Sequence, residues 1–401
     1  FLVYTSHCIH SSGDKNFQGE NMKLAKLSLA AIMVAGLATS SFAADTLAEA
    51  FSKGTVNGAI QGYYWSRDNG TQDADIFTSG LDLSYETARF YGLAFKATFQ
   101  GTSSPWADKD GKDMFAGDEY GSGAVLSEVY VSYKMKNTTA MVGRMYLDTP
   151  LVASSSSRVT KEAFQGAAII NTDLPNTTLI AAYVNKFQSR TDGNGDIGEF
   201  EKFNDDGAYT LAVINKSIPG LTLTAAYADA IDLLKVGYAE VAYEGKASNF
   251  TYGLAGQYYY SKLDGGDDTN LFGVKATLGV AGFSFLAAYT KTDDAAYVYS
   301  GLGNGADLAF AESPINSDGY TPDTQSYKVG VSYSFFKNAN LGVNYTLNDD
   351  DSINQKRAYT AVEADYAFEG PLKGLSAAVI YEDASKDAKG DELWLNLNYK
   401  F

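Results

Sequence analysis

The chain has 401 residues, with 31 Lys and Arg against 48 Asp and Glu for a formal net charge of −17, and it combines 39 Gly, 29 Tyr and 22 Phe with only 7 Pro. Its mean hydropathy of −0.19 is too low for a bundle of membrane helices, and so acidic a chain is expected to have no nucleic-acid partner. The only His and Cys residues are His7, His10 and Cys8. A chain that starts beyond them has no Ser-His-Asp or Cys-His nucleophile system, no disulfide and no usual zinc ligands. No enzymatic activity, cofactor or metal is therefore expected. Carboxylate-only hydrolysis is open to the composition, but the Asp and Glu residues gather in loops and read as solvated turn residues.

Residues 1–21 lack a starting Met and read as untranslated leader. Gln18, Gly19 and Glu20 can be encoded by CAA GGA GAA, a purine-rich ribosome-binding sequence just before the Met22 codon. From Met22, the basic Lys23 and Lys26, the apolar run Leu27 to Leu37, and small residues through Ser41 and Ala43 predict a signal peptide over 22–43, cleaved before Ala44. The apolar run falls short of the roughly 20 residues of a spanning helix. An exported chain without a helical anchor is either secreted or an outer membrane barrel. Removing residues 1–43 takes away two acids and three bases, leaving 46 against 28 and a net charge of −18.

The remainder reads as one all-β domain, 44–401, a transmembrane antiparallel β-barrel. Alternation of apolar and polar residues predicts about eighteen strands of roughly ten residues. They start near 55, 77, 91, 124, 138, 164, 176, 207, 220, 231, 249, 269, 282, 326, 339, 355, 374 and 391. Clean apolar faces run through Tyr91, Leu93, Phe95, Ala97 and Phe99, and through Leu341, Val343, Tyr345 and Leu347; the strands near 138, 164 and 176 are ambiguous in phase. Every second connection is a tight turn, such as Met135 to Asn137, Gly279 to Ala281 and Phe335 to Asn338. The others are longer, polar and acidic, notably 101–123, 145–163, 188–206 and 293–325. All seven prolines fall in connections, as residues that cannot donate to a ladder must. Short turns alternating with long loops describe a meander between two compartments, with both termini periplasmic. Leu393 to Phe401 closes the pattern: Leu393, Leu395, Leu397, Tyr399 and Phe401 form one apolar face against Trp394, Asn396, Asn398 and Lys400.

The stretch Val142-Gly143-Arg144-Met145-Tyr146-Leu147-Asp148-Thr149-Pro150-Leu151, followed by Arg158, Phe164-Gln165-Gly166 and Leu174-Pro175-Asn176-Thr177-Thr178-Leu179, resembles the strand, third loop and strand of the OprD-like porins. It is closest to the major outer membrane proteins of Campylobacter-like bacteria, whose mature start also resembles Ala44 to Phe51. The resemblance implies an eighteen-stranded channel narrowed by a third loop folded into the lumen, with basic residues facing acidic ones. On this reading Arg144, Asp148, Arg158, Lys161 and Glu162 form the constriction. Lys96, Lys235, Lys275, Lys328 and Arg357 line the pore on the polar phase of their strands, against Glu128, Glu363 and Asp365. With only six Arg after residue 43, the family's basic ladder is partly matched. Phe401 is expected to be the assembly signal read by the barrel-assembly machinery.

Asp192, Asn194 and Asp196 have the spacing of a calcium loop, but Ile197 stands where Gly is needed and Phe203 where the final Glu belongs. An acidic surface loop is the better account. The expected function is a cell outer membrane porin, a water-filled channel for ions and small hydrophilic solutes with modest cation preference. Its expected surroundings are outer membrane lipid, with a homotrimer left open. A surface adhesin or structural barrel is the alternative, separated from a porin by conductance. An energised receptor would need a plug domain between Ala44 and the first strand.

Overall fold

A computed structural model describes residues 44–401; the expected leader and signal peptide lie outside the described residues. Nineteen strands form one antiparallel sheet: β1 (Thr55–Asp68), β2 (Asp73–Glu86), β3 (Leu93–Ser103), β4 (Gly123–Met135), β5 (Thr138–Met145), β6 (Ala163–Asn171), β7 (Thr177–Gln188), β8 (Phe200–Glu201), β9 (Ala208–Asn215), β10 (Leu221–Ala230), β11 (Leu234–Ala247), β12 (Phe250–Leu263), β13 (Asp268–Val280), β14 (Phe283–Thr292), β15 (Thr324–Phe335), β16 (Ala339–Asp350), β17 (Gln355–Ala367), β18 (Leu375–Lys386) and β19 (Asp391–Lys400). The two-residue β8 is only an appendage on the end of β7. The other eighteen make the barrel wall, and each starts within four residues of its expected position.

Each strand pairs with its neighbours in sequence, and β1 closes the ring on β19 from Ala59 opposite Lys400 to Asp68 opposite Asp391. Phe401 extends this seam by exchanging backbone hydrogen bonds with Gly58, at 2.9 and 3.0 Å. No edge is left, so every strand can satisfy its backbone polar groups inside the sheet, as a span through hydrocarbon requires. Among the described residues, no helix is long and apolar enough to cross a membrane. The short turns have the chemistry of two-residue hairpins: Tyr91 and Gly92 have φ of 51° and 88°, and Ala281 and Gly282 have 50° and 85°. Positive φ at both central positions matches the turn twist to that of the strands.

The period of two divides the wall. Ile60, Leu83, Val131, Val142, Leu211, Val241, Leu254, Val274, Val329 and Leu397 are exposed on the outer face. Exposed aromatic residues flank this band near the short turns (Tyr91, Tyr133, Phe250, Phe283, Phe335, Tyr399) and nearer the long loops (Tyr183, Tyr209, Tyr258, Phe272, Tyr327), the girdle arrangement of outer membrane barrels.

The inside is less uniform than alternation alone predicts. Its half nearest the long loops is filled: Met145, Leu147, Leu151, Val152 and Phe164 pack with Val236, Leu271, Val298, Leu302 and Tyr320 in one buried cluster, beside buried polar wall positions such as Thr290, Ser326 and Asn348. Loops rather than water cover that part of the wall. The half toward the short turns keeps polar inward positions, including Asp82, Lys96, Glu240, Asn344, Asp365 and Asn398.

Candidate pore and its lining

The loop between β5 and β6 is almost wholly buried. It turns on Thr149, whose hydroxyl donates to the Val152 carbonyl at 2.9 Å and accepts from the Val152 N–H at 3.0 Å. An antiparallel bridge joins Asp148 to Ala153, and a second, parallel bridge joins Val152 to Leu302 of the loop 293–323. Farther along, Val159 meets β2 at Gly80, where a side chain on the glycine would collide with it.

Arg158 is held in an aromatic cage. Its guanidinium lies 4.1 Å from the Trp65 ring centre and 4.2 Å from that of Trp394, both on the inward phase of the closing strands. It also donates to Asp118 at 3.2 Å. Asp118 accepts from Arg190 as well, and Arg190 donates to Ser155 at 2.7 Å and Ser157 at 3.0 Å. Burial alone would raise the Asp118 carboxyl, but Arg158 and Arg190 outweigh it and hold it well below the usual carboxylate range. Glu162 accepts from the Ser155 N–H at 3.0 Å and the Asn304 N–H at 2.9 Å; burial is the main cause raising its carboxyl. The loops 104–122, 146–162, 189–207 and 293–323 are thus joined by one buried polar network.

This placement separates the five expected constriction residues. Arg158 and Glu162 are each only 1% exposed, so they tether the loop and show no charge to water. Asp148 sits half-buried at the base of the loop turn. Lys161 faces the lumen: its Nζ lies 4.4 Å from the Tyr146 ring centre, its backbone is clamped by Gln100 at 2.8 and 2.9 Å, and Asp82 and Lys400 are its charged neighbours. Arg144 is a correction. It pairs with Val129 on the outer phase that Val131 and Val142 share, and it covers the Phe200 ring at 4.3 Å. Gly143 of the same motif has a structural reason, since φ is 137° and any Cβ would run into the Val129 carbonyl.

Of the expected wall residues, Lys96 and Glu128 face inward as an ion pair at 2.8 Å. Lys275 points inward at the Phe310 ring, 4.1 Å away, and Lys328 donates to the Glu312 carbonyl at 2.6 Å. Arg357 bridges Asp318 and Asp350 at 3.2 and 2.9 Å. Glu363 accepts from Asn344 at 2.6 Å and Asp365 from Asn340 at 3.0 Å. Lys235 is the second correction: it is exposed on the outer phase with Val241 and Tyr243, while Leu234, Val236 and Tyr238 point inward under the loops. An apolar interior at that level removed the contrast that polarity normally gives. The sequence reading missed Asp82, although Leu81 and Leu83 flank it in the required alternation, and missed Trp65, Asp118, Arg190 and Trp394.

In the 192–196 loop the Asp192 carboxylate is taken up by the N–H groups of Asn194, Gly195 and Asp196 at 2.7, 3.1 and 3.0 Å. Among the described residues no group of three or more His, Cys, Asp or Glu is placed to hold a metal ion.

A closed antiparallel barrel with an apolar, girdled exterior and loops packed against its inner wall defines an outer membrane channel. The model of the outer membrane porin OprD family matches residues 77–401, and the chain belongs to that family. Its fold is similar to three crystal structures: OpdK of Pseudomonas aeruginosa (15% identity, 88% of this chain and 99% of that one, TM-score 0.73), OccK9 (OpdG) of the same organism (14%, 88% and 99%, 0.79), and OccAB2 of Acinetobacter baumannii (20%, 88% and 99%, 0.76). No curated protein sequence matches the chain. The protein is therefore an outer membrane porin, a channel for small solutes in a family of channels rather than enzymes.

Proposed function

We propose that solutes cross this porin beneath the third loop, past Lys161 and the inner faces of β1 to β4 and β19, and that the passage favours small cations modestly. The supporting observation is the balance of inward side chains below the loops. Asp82, Glu86, Glu128, Glu240, Glu244, Glu363 and Asp365 stand on inward positions, against Lys96, Lys134, Lys246, Lys275, Lys328 and Lys400, a small excess of acids. At the external mouth, Asp268, Asp349 and Asp350 are paired with Lys262, Lys356 and Arg357. Asp264, Asp267, Asp293, Asp294 and Asp351 add further negative charge there, which raises the local cation concentration. Lys161 at the loop opposes it, so the preference falls short of ideal selectivity.

Reversal potentials in a KCl gradient test this reading. A cation preference is expected that weakens as the screening length falls from about 10 Å at 0.1 M to about 3 Å at 1 M; anion preference at low salt would refute it.

Within the family, the Gly143 to Leu151 segment and the Ala44 to Phe51 start support a place nearest the major outer membrane proteins of Campylobacter-like bacteria. A homotrimer is the assembly to test, by the mass of the native protein in mild detergent, where a monomer would count against it. The family resemblance and the terminal aromatic residue support recognition of Phe401 by the barrel-assembly machinery. Deleting Phe401, which removes the hydrogen-bonded pair with Gly58, should lower the inserted amount; undiminished surface levels would count against the assembly role.

A further inference from the structure

The loop 293–323 straddles the lumen. At one end the Thr269 hydroxyl of β13 donates to the Ala296 carbonyl at 2.9 Å, and the Tyr299 N–H donates to Ser261 of β12 at 3.0 Å. At the other end Ser313 donates to Glu382 of β18 at 2.9 Å, and Asn316 to the same carboxylate at 2.7 Å. Between them the loop touches the third loop through Leu302 and Asn304.

Glu312 lies next to the Ser313 anchor of this bridge and differs from every other carboxylate in it. It is 5% exposed, no side chain donates to either carboxylate oxygen, and the one polar group turned toward it is the Gly319 N–H, short of full hydrogen-bond geometry. Its neighbour Lys328 of β15 is turned to the Glu312 backbone carbonyl at 2.6 Å. On its own loop it faces Asp307, which accepts from Tyr320 at 2.5 Å, and Asp318. Asp318 is occupied by Arg357 and Tyr359 of β17. Tyr297 of the loop and Tyr259 of β12 border the same acidic group, and Lys275 of β13 is held against Phe310. The wall beneath is neutral and polar. Ser326 shares the small space left by Gly319, where a Cβ would lie 2.7 Å from Ser326 Oγ and collide with Glu312. The side chains of Ser326, Thr346 and Asn348 there also have polar atoms without partners. A carboxyl group that carries a proton fits this site as donor and acceptor; a bare carboxylate is buried next to two others without an ion-pair partner.

We propose that Glu312 is a proton-binding site that sets how firmly the loop 293–323 sits across the lumen. Burial first, then Asp307 and Asp318, push its carboxyl well above the usual range against the pull of Lys328. The docked loop holds this proton more tightly than a released, solvated carboxyl does. Docking is therefore fully supported below the ordinary carboxylate range and weakens as pH rises toward the raised value. Alkaline conditions loosen the loop and widen the passage.

The test compares wild type with Glu312→Gln, a neutral side chain of the same shape, between about pH 6 and about pH 9, a window above the ordinary Glu range of about 4.3. Single-channel conductance and chymotryptic cleavage within the loop, at Tyr297, Tyr299 and Phe310, are followed together. In wild type both should rise with pH, and in Glu312→Gln both should lose that rise and stay near the low-pH value. Cleavage reads the loop whether or not the passage lies where proposed, so a change in cleavage without a change in conductance overturns the link to the passage while leaving the proton site. A flat wild-type response, or an unaltered rise in Glu312→Gln, overturns the proton site. The second arm also discriminates against Glu119, whose carboxyl burial pushes up to about 8 in the loop 104–122, because Glu119 is unchanged in the variant.

Discussion

Replacing Arg158 with alanine should release the third loop from the wall and raise single-channel conductance, with the barrel still folded. The side chain is fully buried between Trp65 and Trp394 and paired with Asp118. Removing one partner of a buried ion pair costs about 3–5 kcal/mol. Asp118 keeps Arg190, which places the loss at the low end, while a desolvated cation–π contact adds about 2 kcal/mol. About 3 kcal/mol alone shifts the seated-to-released ratio by roughly two orders of magnitude. The barrel does not depend on this contact, since its eighteen wall strands pair without the loop. The variant should therefore keep the heat-modifiable mobility of a closed barrel on gels while its conductance and open-channel noise increase. Arg158→Lys should be intermediate, because an ammonium keeps the charge but not the flat stacking between two indoles. Wild-type conductance in both variants would show that the cage does not hold the loop.

Most of the barrel is legible in the sequence because its two solvents impose a period of two on every strand. Leu393 to Phe401 show this most plainly, and the tight turns fix the ends. Phase becomes illegible where both faces of a strand are apolar. On β5, Met141 and Met145 point inward while Val142 points outward, so nothing in composition says which side Arg144 takes. Lys235 fails for the same reason, with Leu234 and Val236 buried under loops beside it. The loop network fails for a different one. Arg158 meets Trp65 and Trp394, and Glu162 meets Asn304, partners brought together by closure of the ring and by docking of the loop 293–323. No local pattern records such contacts. Asp82 is the opposite case, a lumen carboxylate whose alternation with Leu81 and Leu83 was there to be read.

The charge at position 161 reports directly where the passage runs. Lys161 sits on the lumen side of the third loop, with Asp82 and Lys400 as its charged neighbours, whereas Arg144 is on the outer phase against Phe200. Two unit charges about 4 Å apart interact by about 1 kcal/mol in bulk water and about 4 kcal/mol at the lower effective dielectric of a protein surface. Reversing the charge at a narrow point should thus change the cation-to-anion permeability ratio several-fold. The measurement is the reversal potential of Lys161→Glu and Arg144→Ala beside wild type in the same KCl gradient at low salt. Lys161→Glu should move well toward cation selectivity, more weakly at high salt, and Arg144→Ala should coincide with wild type. A shift in Arg144→Ala with none in Lys161→Glu would contradict the proposed passage.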